Sequence, residues 1–445
     1  MLSTLIYKIR RRQRLGLIED LSRKHWLSLE QLQEASDVQT RKLACHAASH
    51  VPYYKKEFQA LGLDPAAMDF PRDWERLPLL NKDILCQEYE DLVSETDHGQ
   101  QSFVNHSGGS TGKPVQFISD NILYTRMAAW MDFVFGWAGW QPGELRLELW
   151  GNNDRTLPPT PWQRWRAKLG GSFAVPVYQY TEKDLFQWWQ VIRQLKPTII
   201  YGYSSVLADF ARFLESECYQ PTGIKGVFSS AEVLYPEQRL VIERVFGCKV
   251  YNQYGSRETP CVACECPEGG MHLFIDWNRI EFVDSGCENG GDSEIVITPL
   301  YNYAQPLLRY QIGDLGRPRA ESCVCGRGYP LMDLNVARSG DFLRGADGSR
   351  FYPSLFTHLM DGKGWVRAFQ FVQKAENKIV LHVVAESGVE AKSLAADLEA
   401  ELGAVLRGKM GDELICSVRV VERIDRTRAG KHRYVVNEME NVRSV

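Results

Sequence analysis

Residues 106–114 read His-Ser-Gly-Gly-Ser-Thr-Gly-Lys-Pro, so three glycines (Gly108, Gly109, Gly112), three hydroxyls (Ser107, Ser110, Thr111) and one cation (Lys113) stand together. Glycines let a backbone wrap around an anion with several N–H groups pointing inward, and the hydroxyls and lysine add donors and charge; a phosphate chain is the ligand that suits them. The spacing is not that of a Walker A loop. That loop needs a glycine five positions before its Gly-Lys pair and Ser or Thr after it, where this chain has Ser107 and Pro114. The following Val115-Gln-Phe-Ile-Ser119 alternates apolar and polar residues as a strand does. The loop is therefore expected to turn between strands rather than open a helix, as Walker and Rossmann loops do. A plain polar hairpin has the same composition, so other segments must decide.

Soft ligands form a second constellation: Cys261-Val-Ala-Cys264-Glu-Cys266 with His272, then Cys323-Val-Cys325. Eleven cysteines in a chain of 445 residues with no leader-like start speak for reduced thiols rather than a disulfide framework. Two clusters suggest one tetrahedral site, and four ligands would close the sphere of a structural zinc, leaving no catalytic position. The spacing is not that of a nucleic-acid zinc finger.

These groups need a scaffold, and 44% hydrophobic with 24% charged residues supplies a large core, divided by length into two or three domains. The formal charge of -4, from 52 basic and 56 acidic residues, leaves no nucleic-acid footprint and points to a small partner. At the N-terminus, Lys8, Arg10, Arg11, Arg12 and Arg14 follow only a few apolar residues, the reverse of a secretory signal. The segment reads as a solvated helix, with contact to an anionic membrane surface as the alternative. No apolar stretch approaches transmembrane length, and the cytoplasm is the expected compartment.

Residues 18–61 carry helical spacing, broken at 50–54 because Val51 precedes a proline. From about 100 to 335, β-rich runs at 197–203, 226–234, 248–255 and 293–300 alternate with helical stretches such as 234–247, the rhythm of a covered parallel α/β sheet. Beyond Arg338-Ser-Gly-Asp341 the texture changes: strands at 368–373, 377–386 and 415–423 and a helix near 389–408 predict a small α+β unit. The expected organisation is a large multi-sheet α/β domain over 1–338 and a small mobile α+β domain over 339–445, with Gly340 as the joint.

The loop at 107–114 resembles the phosphate loop of the adenylate-forming superfamily of acyl-CoA ligases, and its form ending in Pro is most similar to the phenylacetate-CoA ligase branch. Further segments match that family in order. Ser229-Ser230-Ala231-Glu232 follows an apolar run and so ends a strand, where open α/β sheets bind ligands; the resemblance packs it against adenine. Tyr251-Asn252-Gln253-Tyr254-Gly255-Ser256-Arg257-Glu258 resembles the Tyr-Gly-x-x-Glu motif, which implies an aromatic ring beside adenine and Glu258 on the Mg²⁺ of the phosphates. Leu308-Arg-Tyr-Gln-Ile-Gly-Asp314 is similar to an Arg-Tyr-x-x-Gly-Asp motif whose aspartate accepts from both ribose hydroxyls, a task suited to an acceptor-only carboxylate. The hinge motif is matched at 338–341, with Arg338 near the ribose and Asp341 close to the pivot.

Residues 426–433, Arg-Thr-Arg-Ala-Gly-Lys-His-Arg, resemble the mobile lysine loop. As a carboxylate attacks the α-phosphate, charge builds on phosphoryl oxygens, and Lys431 delivered by domain closure would stabilise it. The resemblance also maps the zinc ligands onto Cys266, His272, Cys323 and Cys325, with Cys261 and Cys264 spare, and the pocket-lining segment onto Tyr201-Gly202-Tyr203. The aromatics Trp130, Phe133, Phe135, Trp137 and Trp140 are assigned to core, since aromatics at helical spacing usually pack inward.

The implied activity is ATP- and Mg²⁺-dependent adenylation of a carboxylic acid, with Lys113, Glu258 and Lys431 as the catalytic groups, then transfer to coenzyme A. The chain also looks like the branch found in capsule and surface-polysaccharide gene sets. That leaves an amine acceptor or a coenzyme hydroxyl open, along with a homodimer; a nucleotide-binding scaffold without catalysis is the reading from another class.

Overall fold

The computed structural model describes residues 12–96, 102–106, 115–151, 157–177, 180–284, 293–334, 343–346, 349–351, 355–356, 359–360, 362–386, 388–425 and 433–439. It opens with helices Arg12–Lys24, Leu29–His50 and Pro52–Leu61. Ser28 starts the second through a capping box: its hydroxyl accepts from the Gln31 N–H while the Gln31 side chain accepts from the Ser28 N–H. The expected break falls at Val51, held extended at φ -117° and ψ 112° by the proline that follows. Pro52 then begins the next helix, where a missing N–H costs nothing.

Strands β1 (Ser102–His106) and β2 (Gln116–Asp120) pair antiparallel from Ser102↔Asp120 to His106↔Gln116, so the glycine-rich segment connects a hairpin, as the alternation predicts. Next come β3 (Arg146–Leu149), β4 (Ser172–Val175), β5 (Ile199–Tyr203), β6 (Gly226–Ser230) and β7 (Val250–Tyr254), all parallel. Successive residues of β5, β6 and β7 enter opposite cores. Ile200, Val227 and Val250 join Trp188 and Phe210 on one face, while Ile199, Phe228 and Tyr251 join Phe135 and Phe274 on the other. Burial on both faces is why Ile199-Ile200, Val227-Phe228 and Val250-Tyr251 are consecutive apolar pairs, whereas β3 and β4 alternate and bury only Leu147 with Leu149 and Phe173 with Val175.

The same sheet continues through β8 (Ala263–Glu265), β9 (Met271–Leu273), β10 (Asn278–Asp284), β11 (Ser293–Pro299), β12 (Tyr310–Arg319) and β13 (Leu331–Asp333). Its eleven strands run β10-β11-β12-β13-β9-β8-β7-β6-β5-β3-β4. Here the parallel rhythm expected as far as residue 335 gives way. Strand β8 is antiparallel to β7 and β9, and β13 to β9; no helix occurs among the described residues from 263 to 333. The link from β8 to β9 spans only residues 266–270, whereas a parallel crossover needs about a dozen residues or more.

Two compact units divide the chain: 1–282 with 295–312 and 318–333, and 283–294 with 313–317 and 334–445. In the second, β14 (Leu343–Arg344) and β15 (Arg350–Phe351) form a ribbon. Strands β16 (Val366–Ala375), β17 (Lys378–Ala385), β18 (Ile415–Val420) and β19 (Val435–Asn437) form a sheet in the order β18-β17-β16-β19. The helix Ala391–Met410 buries Leu398, Leu402, Leu406 and Met410 at four-residue spacing in the core that holds Phe371 and Leu381. No described helix is long and apolar enough to cross a membrane.

Candidate active site and metal centre

Strands β5, β6 and β7 end side by side, Tyr203 opposite Ser230 and Ser230 opposite Gln253. The Tyr201 hydroxyl is raised well above its ordinary pKa by burial, which outweighs a hydrogen bond with Ser230. Beyond β6 the chain turns at Ala231, whose φ of 66° lies in the left-handed region that costs a non-glycine residue roughly 1–2 kcal/mol. The turn sets Glu232 against the N-terminus of helix Ser204–Ser216, where Oε2 accepts from the Ser205 N–H at 3.0 Å. Beneath it, the hydroxyls of Ser204 and Ser229 lie 2.5 Å apart.

The Tyr251 ring stacks on Phe228 inside the core, centroids 4.7 Å apart, while Tyr254 ends β7. The Asn252 N–H donates to Glu265 Oε2 at 3.0 Å. After Gly255 a tight turn closes on itself: the Ser256 N–H donates to the Thr259 carbonyl at 2.9 Å and the Thr259 N–H to the Ser256 hydroxyl at 3.0 Å. Glu258 is buried, while exposed Arg257 reaches back to donate to the His106 carbonyl at 3.0 Å. His106 is the last residue of β1, immediately before the glycine-rich loop. Sequence reading missed this latch, because nothing local links residues 151 apart.

In the Arg-Tyr-x-x-Gly-Asp segment the arginine is structural. Arg309 donates to the carbonyls of Glu75 at 2.6 Å and Leu77 at 2.5 Å and pairs with Glu281 at 2.9 Å. Asp314 lies further along β12. Tyr201 and Tyr203 both stack on Trp150, at 4.9 and 4.3 Å, one residue beyond β3. A tryptophan directly after the alternating strand Arg146-Leu-Glu-Leu149 was the available signal for Trp150. Gly202 sits where the strands approach closely: a Cβ there would lie 2.9 Å from Leu149 Cβ. The aromatics assigned to core do pack there, Trp130, Phe133, Phe135 and Trp140 buried and Trp137 against them. Ser107, Gly108, Gly109, Ser110, Thr111, Gly112, Lys113, Arg338, Gly340, Asp341 and Lys431 lie outside the described residues.

The soft ligands converge. Donor atoms of Cys266, His272, Cys323 and Cys325 all lie within 4.8 Å of one another. The sulfurs of Cys266 and Cys323 are 3.6 Å apart, close to the tetrahedral edge of about 3.8 Å that zinc–sulfur bonds of about 2.3 Å require. His272 Nε2 lies 3.2 Å from the Cys325 sulfur, and Nδ1 lies 2.9 Å from the Tyr329 carbonyl. A proton on Nδ1, donated to that carbonyl, leaves the Nε2 lone pair facing the thiols. Burial lowers the His272 pKa to about 4, keeping the ring neutral, and pushes Cys266 up to about 12. At Cys325 burial is outweighed by the backbone and side-chain N–H groups of Arg327 and by the neighbouring thiols, so this thiol falls below its ordinary value. The donor set fits zinc: three sulfurs and one imidazole. Cys261 and Cys264 stand apart from it, buried with Phe228 and Phe274 as small apolar residues.

The sequence model of the AMP-binding enzyme family matches residues 29–280, more than half of the chain. The chain belongs to the AMP-binding enzymes. It is an adenylate-forming ligase, close to phenylacetate-CoA ligase and CapK-like members of the acyl-CoA ligase superfamily. Residues 343–438 match the CapK C-terminal domain. Protein CapK of Staphylococcus aureus is 24% identical over 374 residues, covering 82% of this chain and 80% of that one. Phenylacetate-coenzyme A ligase of Thermus thermophilus is 26% identical over 331 residues, covering 71% and 72%. Among solved structures, 2-hydroxyisobutyryl-CoA ligase in complex with 2-HIB-AMP superposes with a TM-score of 0.76 at 21% identity, covering 95% of this chain and 93% of that one. That last likeness is one of fold.

Proposed function

We propose that this enzyme activates a carboxylic acid as its acyl-adenylate and passes the acyl group to coenzyme A. A carboxylate oxygen attacks the α-phosphorus of ATP, the bond to the bridging oxygen breaks, and pyrophosphate leaves. The thiol sulfur of coenzyme A then attacks the acyl carbon, its proton goes to solvent, and AMP leaves. The observation that carries this reading is the gathering of segments 106, 201–203, 229–232 and 251–258 at one end of a parallel sheet, where open α/β sheets bind ligands.

In this reading the segment 107–113 cradles the phosphates, with Lys113 neutralising charge. Ser230, Ala231 and Glu232 with residues 251–256 flank adenine. Asp314 holds the ribose hydroxyls, assisted by Arg338. Tyr201, Gly202 and Tyr203 line the acyl side, with Trp150 stacked on both tyrosines. Magnesium bound at Glu258 would screen the phosphates, and zinc held by Cys266, His272, Cys323 and Cys325 would brace the fold. Lys431, on a small domain spanning 339–445 that moves against 1–338, meets charge that exists only in the transition state. Both ATP and coenzyme A are cytoplasmic, which supports a cytoplasmic site of action. The second reading concerns the acceptor alone, an amine in place of the thiol.

Pyrophosphate exchange into ATP over a panel of carboxylic acids tests adenylation. Acid-dependent exchange is expected, and its absence with every acid would leave only a nucleotide-binding scaffold. Lys431→Ala should slow exchange about 10²–10³-fold with ATP affinity nearly unchanged, and equal losses in both would remove the lysine from the reaction. Mass analysis of products formed with coenzyme A or with amines separates thioester from amide.

A further inference from the structure

Helix Pro161–Gly170 is inside out. Ala167 is its buried residue, whereas Trp162 is 62% exposed and Trp165 53%. With Leu169 they recur at i, i+3 and i+7, a single stripe along the helix, and it lies opposite the buried face. The indoles stack on each other, centroids 4.8 Å apart and planes 20° apart, covering one face of each ring and leaving the others to solvent. Such a stripe on a soluble enzyme marks a contact surface.

The charges around it identify the contact. Arg166 and Lys168 are exposed on the same short helix, and Arg164 is half-buried. From residue 155 to 181 the chain has four basic residues and no carboxylate, although its net charge is -4. A protein interface depletes charge at its centre, and a nucleic-acid site needs a longer basic track. Indoles bracketed by arginine and lysine suit the headgroup layer of an anionic bilayer, where the ring straddles the apolar boundary and the cations meet lipid phosphates. We propose that helix Pro161–Gly170 docks this enzyme reversibly on an anionic membrane surface, with its Trp162–Trp165 stripe in the headgroup layer.

Full-length protein is sedimented with vesicles of phosphatidylcholine alone and of phosphatidylcholine mixed with phosphatidylglycerol, at low and high salt. The expected result is binding to the anionic vesicles, weakened by salt and reduced about tenfold in W162A/W165A, with R166A/K168A losing the preference for anionic lipid. Wild-type protein should also gain hydrogen-exchange protection at 161–170 on those vesicles, a readout that needs no variant to fold. No binding to anionic vesicles overturns the proposal. So does binding that survives W162A/W165A, which would assign it to another segment such as the basic N-terminus. Self-association of the free protein, abolished by W162A/W165A, would make the stripe a protein interface and overturn it equally.

Discussion

The two halves of the large sheet are held together by different means. Strands β3 to β7 are short, but β5, β6 and β7 bury apolar side chains on both faces and β3 and β4 on one, and the helices between them close two cores. Strands β8, β9 and β13 have three residues each and turn back on themselves, with Cys266 just past β8, His272 within β9, and Cys323 and Cys325 in the segment before β13. One half can rely on the hydrophobic effect. In the other, the three-residue strands have little to pair, although β10, β11 and β12 beyond them run to seven residues or more, so a metal bound by the four donors would cross-link that corner. The proposed nucleotide segments 229–232 and 251–258 sit where the first half meets the second, so both modes of stabilisation would act on them.

The sharpest way to separate the halves is Phe228→Ala. That ring is fully buried, stacked on Tyr251 and edge-on to Phe135, and its loss should cost about 3–5 kcal/mol in denaturant unfolding. The cost should be the same with and without a chelator. Metal analysis should find one zinc per chain, and zinc at roughly 100-fold above its Kd should add about 2.7 kcal/mol of stability that chelation removes. In Cys323→Ser the chelator should change nothing. If the Phe228→Ala cost vanished on chelation, the two halves would be one cooperative system and the contrast would fail. Gly270→Ala probes the corner more gently, since its Cβ would lie 2.8 Å from the Cys323 sulfur and 3.1 Å from Leu331. Zinc should be held about tenfold more weakly, and unchanged retention in a competition assay would show that the sulfur can move aside freely.

The same contrast governs what could be read from the chain. Alternation after Pro114 marked the glycine-rich segment as a hairpin connection, and Pro52 placed the break between the second and third helices within one residue, while the earlier break at 25–28 was not read. Apolar runs at 199–203, 226–230 and 250–254 declared buried parallel strands because burial on both faces leaves a long signal. Three-residue strands leave none, and the antiparallel corner was misread as more of the same. Spacing alone left six soft ligands for four places. The geometry separates them: Cys261 and Cys264 belong to the apolar core, a distinction that composition does not carry. Arg309 illustrates the other gap, a motif residue whose guanidinium is spent on the carbonyls of Glu75 and Leu77 and on Glu281, more than two hundred residues away for the carbonyls.

The smallest expected effect tests where the halves meet. Arg257 is exposed, so its hydrogen bond to the His106 carbonyl should add only about 0.5–1.5 kcal/mol to stability, and Arg257→Ala should leave the unfolding midpoint almost in place. Its consequence should fall instead on the nucleotide, because the bond ties the strand entering the glycine-rich loop to the turn that buries Glu258. A loosened loop entry would have to be ordered when ATP binds, so the KM for ATP should rise several-fold while kcat changes little. Arg257→Lys, which keeps the charge but replaces the guanidinium fork with a shorter-reaching ammonium, should recover only part of the loss. A fall in kcat with unchanged KM would instead place Arg257 among groups that act on the transition state.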